Sequence, residues 1–190
     1  VNRGGKGSFE RSINVQRTYY LHIGQVNAAL PEALRGTSWF AYGAPATSYL
    51  TPLWAIMDEL PAHLGRGERY GAFDRESGFW ANIYVQQMAE LHFNEAIKHV
   101  NAAREPRLNM LYAVTPKVLE LAAQTYTKDP KAAASLLTQF GSANAIAWQQ
   151  EWLRLGDTLL GKYAMGMVDG HPVGYPQWWN DVINYKPLIR

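Results

Sequence analysis

The hydrophobic pattern of this chain changes period at Asp74, and that change limits what the chain can build. Before Asp74, short aromatic and aliphatic runs are separated by Gly and Pro. Residues 17–26 carry Tyr19, Tyr20, Leu21, Ile23 and Val26, which suit a strand that Leu30-Pro31 closes. A second strand is expected to open at Gly36-Thr37-Ser38-Trp39-Phe40-Ala41-Tyr42, with Gly43, Pro45 and Pro52 as breakers on its C-terminal side. Leu53 to Leu60 forms a short apolar stretch ended by Pro61, and glycines at 65, 67 and 71 mark a loop.

After Asp74 the spacing is helical. Trp80, Tyr84, Met88 and Leu91 fall on one stripe, while Glu90, Asn94 and Lys98 form a wet face. Asp74 is a candidate N-cap, and Ser77, just before Gly78, is a second residue explained by capping. Pro106 predicts that this helix ends by Arg104 or Glu105. Thr115-Pro116 and Asp129-Pro130 each read as an N-cap followed by proline at the first helical position. An interruption is expected at Gly141-Ser142, with a continuation through Ile146, Trp152, Leu159 and Tyr163.

The fold class is therefore α+β, a few antiparallel strands followed by a mainly helical region. Residues 1–72 form the strand and loop region, 73–168 the helical region, and 169–190 an irregular tail, all within one domain. The visible strands make a small sheet, and a stable sheet face normally takes three or more. Further polypeptide is expected to finish it.

Composition narrows the function classes. Eighteen basic residues face sixteen acidic ones, a net charge of +2 with no basic block, which points to no nucleic-acid or membrane partner. Zero cysteines excludes disulfides and thiolate metal sites, and leaves the compartment open. Gly4, Gly5, Lys6 and Gly7 lack the strand and the Gly-Lys-Ser/Thr ending of a phosphate loop, and read as a frayed or cut segment. No cofactor is implied.

Few residues carry a chemical signal. Arg17 would share one strand face with Tyr19, Leu21 and Ile23 if 17–25 is extended. An arginine there either reaches water along its own stem or is paired within a site, because an unpaired buried charge is costly. His92, Glu95 and His99 lie along one helical face, as metal ligands would. They lack both the His-Glu-x-x-His and Glu-x-x-His orders, so no metal is assigned, and Glu95 with His99 reads as a surface pair. Gly-x-Ser-x-Gly is absent. Trp39-Phe40-Tyr42, Phe79-Trp80 and Trp178-Trp179 are candidates for a stacking surface, although Phe79-Trp80 reads first as core and the tail pair as a clamp on the terminus.

The ordered series is more specific than any single motif. It runs from Arg17-Thr18-Tyr19-Tyr20-Leu21-His22-Ile23-Gly24-Gln25-Val26 to Leu30-Pro31. It continues through Trp39-Phe40-Ala41-Tyr42-Gly43-Ala44-Pro45 and Thr51-Pro52-Leu53 to Phe73-Asp74-Arg75-Glu76-Ser77-Gly78-Phe79-Trp80. This series resembles the C-terminal part of bacterial cysteine dipeptidases of the dipeptidase A family, which are N-terminal-nucleophile hydrolases. The likeness runs from about Arg11 to Val100 and is looser beyond.

The resemblance implies an αββα sandwich and hydrolysis of dipeptides by a cysteine at a mature N-terminus, whose α-amino group is its base. It also implies an arginine beside the nucleophile, and Arg17 is the matching position. That residue would lower the thiol pKa or hold a carboxylate. The chain itself lacks the nucleophile. It reads as a C-terminal or processed part of such an enzyme, inert alone. Its expected partners are the N-terminal portion carrying the cysteine and a small peptide substrate, and association of identical copies stays open. The alternatives are an amide acylase of the same superfamily and a non-catalytic helical module binding peptide or glycan.

Overall fold

The computed structural model describes residues 13–175 and 177–183. The glycine-rich stretch from Gly4 to Gly7 lies outside them, as does Pro187. Three strands, β1 (Tyr20–Val26), β2 (Gly36–Tyr42) and β3 (Thr51–Leu53), form one antiparallel sheet in that order. Three long helices come next: α1 (Gly78–Leu91), α2 (Phe93–Tyr126) and α3 (Pro130–Tyr163). A two-residue hairpin pairing, β4 (Met167–Val168) with β5 (His171–Pro172), and a short helix α4 (Gln177–Val182) complete the described chain. The architecture is α+β, a small antiparallel sheet followed by a mainly helical region. Among the described residues, no helix is long and apolar enough to cross a membrane.

Alternation along β2 decides which face of the sheet meets the helices. Thr37, Trp39 and Ala41 are buried, whereas Ser38, Phe40 and Tyr42 are only half-buried. Register places Ile23 opposite Trp39 and Gln25 opposite Thr37, and Gln25 Oε1 accepts a bond from Trp39 Nε1 at 3.0 Å. The far face carries a file of aromatic rings, with Tyr20 on Phe40 at 6.3 Å and Phe40 against Tyr42 at 4.9 Å. β1 is an outer strand of this sheet and is exposed along nearly its whole length, with Val26 77% exposed. Such an edge presents unpaired backbone donors and acceptors.

Several local expectations give way to tertiary packing. The first strand begins at Tyr20, not at 17, and Arg17 stands in the preceding turn. Pro52 does not break the chain but sits inside β3 opposite Trp39. Because β3 is an outer strand of the three, the missing N–H there costs no interior ladder bond.

The expected helix from Asp74 to Arg104 is two helices, divided at His92, whose φ of −147° leaves the helical region. His92 caps α2 through its backbone, its carbonyl accepting from Glu95 N at 3.1 Å and Ala96 N at 2.9 Å. Neither Pro106 nor Thr115-Pro116 then marks a boundary, because both prolines lie within α2. Each proline costs roughly 3 kcal/mol in a helix interior. Burial of Val100, Leu111, Thr115 and Ala122 along the same helix offsets that cost.

Gly141 is likewise inside α3, not at a break. A Cβ on it would lie 3.0 Å from Met57 Cε and 3.2 Å from the Pro52 carbonyl. The residue serves close approach of the β3 segment to the helix.

The Ser77 cap forms as expected: its Oγ accepts from Trp80 N at 3.3 Å. Asp74, three residues earlier, instead accepts from Glu76 N and pairs with Arg66. Asp129 caps α3 as expected, accepting from Lys131 N and Ala132 N, both at 3.0 Å, with Pro130 first in the helix.

The core lies where α1 and α3 meet under β2. The stripe of Trp80, Tyr84, Met88 and Leu91 flanks that contact, while the fully buried face of α1 is Ala81, Val85 and Ala89. Small residues let the helix axes approach, and the large rings come from α3. Trp148 and Trp152 are fully buried, with Tyr49 stacked on Trp148 at 5.1 Å. On α4, Trp178 and Trp179 pack on each other and stay 58% and 40% exposed; residues 184–190, which they were expected to clamp, lie outside the described residues.

Candidate functional site

The turn that carries Arg17 is held from α1. Gln86 is 2% exposed, on the buried helix face that it shares with Ala81, Asn82, Val85 and Ala89. Its Nε2 donates to the Gln16 carbonyl and to Glu90 Oε1, at 3.2 Å for the latter. Its Oε1 accepts from Ala44 N at 3.1 Å. One buried amide therefore ties the Arg17 turn to the loop after β2 and satisfies its own polar atoms by doing so. Thr18 N donates to the Val15 carbonyl at 2.9 Å, which closes the turn.

The loop after β2 is fixed from two further helices. Gly43 has φ of +81°, so glycine is favoured there by conformation, while a Cβ would make only ordinary contacts with Asn82 and Gln86 at 3.4 and 3.5 Å. Arg104, on α2, donates through Nη1 to the carbonyls of Pro45, Ala46 and Ser48 at 3.0, 2.8 and 3.2 Å. Burial lowers its pKa, and the three carbonyl dipoles compensate the guanidinium charge. Trp152 Nε1, from α3, donates to the Thr47 carbonyl at 2.9 Å. Asn14 Oδ1 accepts from Ala46 N at 2.9 Å, joining the segment before β1 to the same loop.

Two adjoining hollows result, sharing Gln16 and Gln86 in their walls. One, of about 190 Å³, is lined by Arg17, Arg69, Phe79 and Trp80. Arg17 is exposed there rather than sealed on an apolar face. The Arg69 guanidinium lies 4.0 Å over the Tyr19 ring, a cation–π arrangement that keeps its N–H edge open. The other hollow, of about 360 Å³, is lined by Glu90, Thr47, Asn14 and Phe93. Two guanidinium groups beside aromatic rings suit a carboxylate or a developing oxyanion.

A cavity larger than either hollow, about 530 Å³, lies elsewhere, between β1–β2 and α2 around Trp39, Tyr112 and Thr115. It shares no lining residue with the Arg17 hollows. Its lining is mainly apolar, and its buried Thr115 hydroxyl has no partner among the described residues. Arg35 and Glu120 also line it.

The structure separates the His92, Glu95 and His99 trio. Glu95 pairs with Lys98 at 2.7 Å, while His92 and His99 both lie about 6 Å from the Tyr163 ring. His99 faces Asp169, at 3.9 Å, instead of Glu95. Among the described residues no group of three His, Cys, Asp or Glu side chains is placed to hold a metal. Ser77 Oγ is occupied, donating to the Arg66 carbonyl at 2.6 Å while capping α1.

The sequence pattern singles out Arg17 but not Gln86, Arg69 or Arg104. Gln86 has a usable signal: it follows Asn82 by one helical turn, and the two place amides on the face of Ala81, Val85 and Ala89. Arg69 has none, since its place depends on how loop 65–73 folds against Tyr19.

The model of peptidase family C69 matches residues 4–106, more than half of the chain. That span holds the whole sheet, α1, and the site residues Arg17, Arg69, Gln86, Glu90 and Arg104. A curated protein of Lactococcus lactis subsp. lactis (strain IL1403), named "Probable dipeptidase B", is 24% identical over 84 residues. The match covers 44% of this chain and 17% of that relative, so the chain spans under a fifth of the relative's length.

Proposed function

This chain belongs to peptidase family C69, and from that premise we propose that it forms part of a dipeptidase. The enzyme hydrolyses the amide bond of dipeptides through a cysteine at a mature N-terminus. The observation that carries this reading is the family match over residues 4–106, which includes both hollows around Arg17. The similarity to a protein named as a probable dipeptidase supports the substrate class.

The chain contains no cysteine. The thiol is therefore supplied by other polypeptide, the N-terminal portion of the same enzyme. The open edge of β1 and the exposed Tyr20 ring beside the half-buried Phe40 support a further sheet layer there, as in an αββα sandwich.

In the proposed reaction the cysteine's α-amino group takes the thiol proton, and the thiolate attacks the scissile carbonyl. The tetrahedral oxyanion collapses, and the amine of the second residue leaves as it takes a proton. Water then hydrolyses the thioester and frees the first amino acid. Arg17 acts beside the thiolate, favouring its charged form or holding a substrate carboxylate.

The test uses the full-length protein that contains this chain. Incubation with dipeptides should release free amino acids, alkylation of thiols should abolish release, and intact-mass analysis should find a polypeptide beginning with cysteine. No release, or release insensitive to alkylation, would sink the proposal.

A further inference from the structure

We infer that Glu90 receives the α-ammonium group of a zwitterionic dipeptide whose carboxylate is held by Arg17 and Arg69. The ligand class rests on the dipeptidase reading above. The placement of the two charged ends rests on the two hollows themselves.

The hollows have opposite electrostatic character. The wall of the smaller holds two guanidinium groups and no carboxylate; the wall of the larger holds the Glu90 carboxylate and no cation. Gln16 and Gln86 stand between them. Glu90 is reached from Gln16 through one amide, since Gln86 Nε2 donates both to Glu90 Oε1 and to the Gln16 carbonyl. Gln16 is the residue before Arg17. The hollows adjoin at those two residues, so a ligand lying across Gln16 and Gln86 enters both.

Glu90 is oriented without being neutralised. Its Oε1 accepts from Gln86 Nε2 at 3.2 Å and its Oε2 from Gln87 Nε2 at 3.3 Å, and both donors are neutral amides. Among the described residues no Lys or Arg forms an ion pair with it. Its exposed side chain lines the larger hollow.

Arg69 is oriented in the same sense, its guanidinium over Tyr19 at 4.0 Å and near Tyr70 at 5.1 Å, with no carboxylate partner among the described residues. An ammonium fits the first charge and a carboxylate fits the second. A short ligand that carries one at each end is an unblocked dipeptide.

The probe is leucyl-N-methylleucine, whose methylated peptide bond resists hydrolysis, with its N-acetyl and C-terminal amide forms as companions. Binding to the full-length protein is read by calorimetry. Glu90→Gln should weaken the unblocked probe at least tenfold and leave the N-acetyl form unchanged. Arg69→Gln should weaken the unblocked probe and the N-acetyl form, and leave the amide unchanged.

Equal weakening of all three probes by either substitution, or no weakening, would overturn the assignment, as would a wild-type protein that binds none of them. The hydrolysis assay separates the two readings. Glu90-dependent binding without hydrolysis removes the dipeptidase and keeps this site; hydrolysis with binding indifferent to Glu90 does the reverse.

Discussion

The ring of Tyr84 covers Gly156 so closely that a Cβ built on the glycine would lie 2.4 Å from Tyr84 Cδ1. This contact sets how near α1 comes to α3, and so where α1 holds Gln86 and Glu90. The neighbouring pair of Tyr84 Oη and Arg75 on Asp157, at 3.1 and 2.8 Å, fastens the same flank from outside.

Gly156→Ala is therefore expected to destabilise the protein by about 1–3 kcal/mol from overpacking, reduced by up to about 1 kcal/mol of helix propensity. Gly161 is the control. It lies on the same helix, and a Cβ there meets nothing within 4 Å. Gly161→Ala should stabilise by roughly 0.4–1 kcal/mol. Denaturant unfolding of both variants checks this; equal effects would mean that the Tyr84 contact relaxes freely.

Trp152→Phe removes the donor to the buried Thr47 carbonyl and leaves a gap beside Tyr49 and Trp148. A loss of about 1–3 kcal/mol is expected, the range for an unsatisfied buried acceptor. Proteolysis in loop 43–48 should also quicken relative to wild type. A stability change with no change in loop cleavage would detach Trp152 from the loop's position.

His63 is 8% exposed, and its Nε2 has no hydrogen-bond partner among the described residues. Burial lowers its pKa, so the folded state prefers the neutral ring. The unfolded state then binds a proton first as pH falls. The stability contribution is whole above about pH 6.5 and is lost progressively below it, toward the lower folded value.

Asp74 and Asp157 act in a separate, more acidic window. Arg66 and Arg75 lower their respective carboxyl pKa values, so their contributions persist above about pH 4 and are lost below it. Melting temperatures between about pH 7.5 and pH 5 should fall for wild type and fall less for His63→Phe. Parallel curves would show that His63 does not titrate with folding.

Arg17→Ala in the full-length enzyme is expected to lower kcat/KM for dipeptides by more than tenfold, or roughly 1.4 kcal/mol and above in transition-state binding. Arg17 is exposed and on a turn, so the substitution should leave the melting temperature close to wild type. Unchanged kinetics in a folded variant would take Arg17 out of the site.

Much of the order of elements was legible in the residues. The change of period at Asp74, the Ser77 cap, the Asp129-Pro130 start of α3 and the strand at Gly36–Tyr42 all arise from local chemistry. Each depends on groups within a few residues of one another. The ordered segments from Arg17 to Trp80 also carried the family resemblance. Arg17 was legible as a residue of interest, but for a strand-face position that it does not occupy.

Tertiary structure alone decided the places where local signals oppose distant contacts. Pro106 and Pro116 argue against a helix, and α2 passes through both because its buried residues pack over its whole length. Gly141 looks like a break and is a contact point, and Gly156 is another, with Met57 and Tyr84 filling the space a side chain would take. Gln86 became the tie between Gln16 and Ala44 only when residues 42 and 70 positions apart met in space. Propensity acts residue by residue, at up to about 3 kcal/mol, whereas packing sums over a whole interface. Sequence therefore set the elements and the family, and packing set their lengths and the geometry of the site.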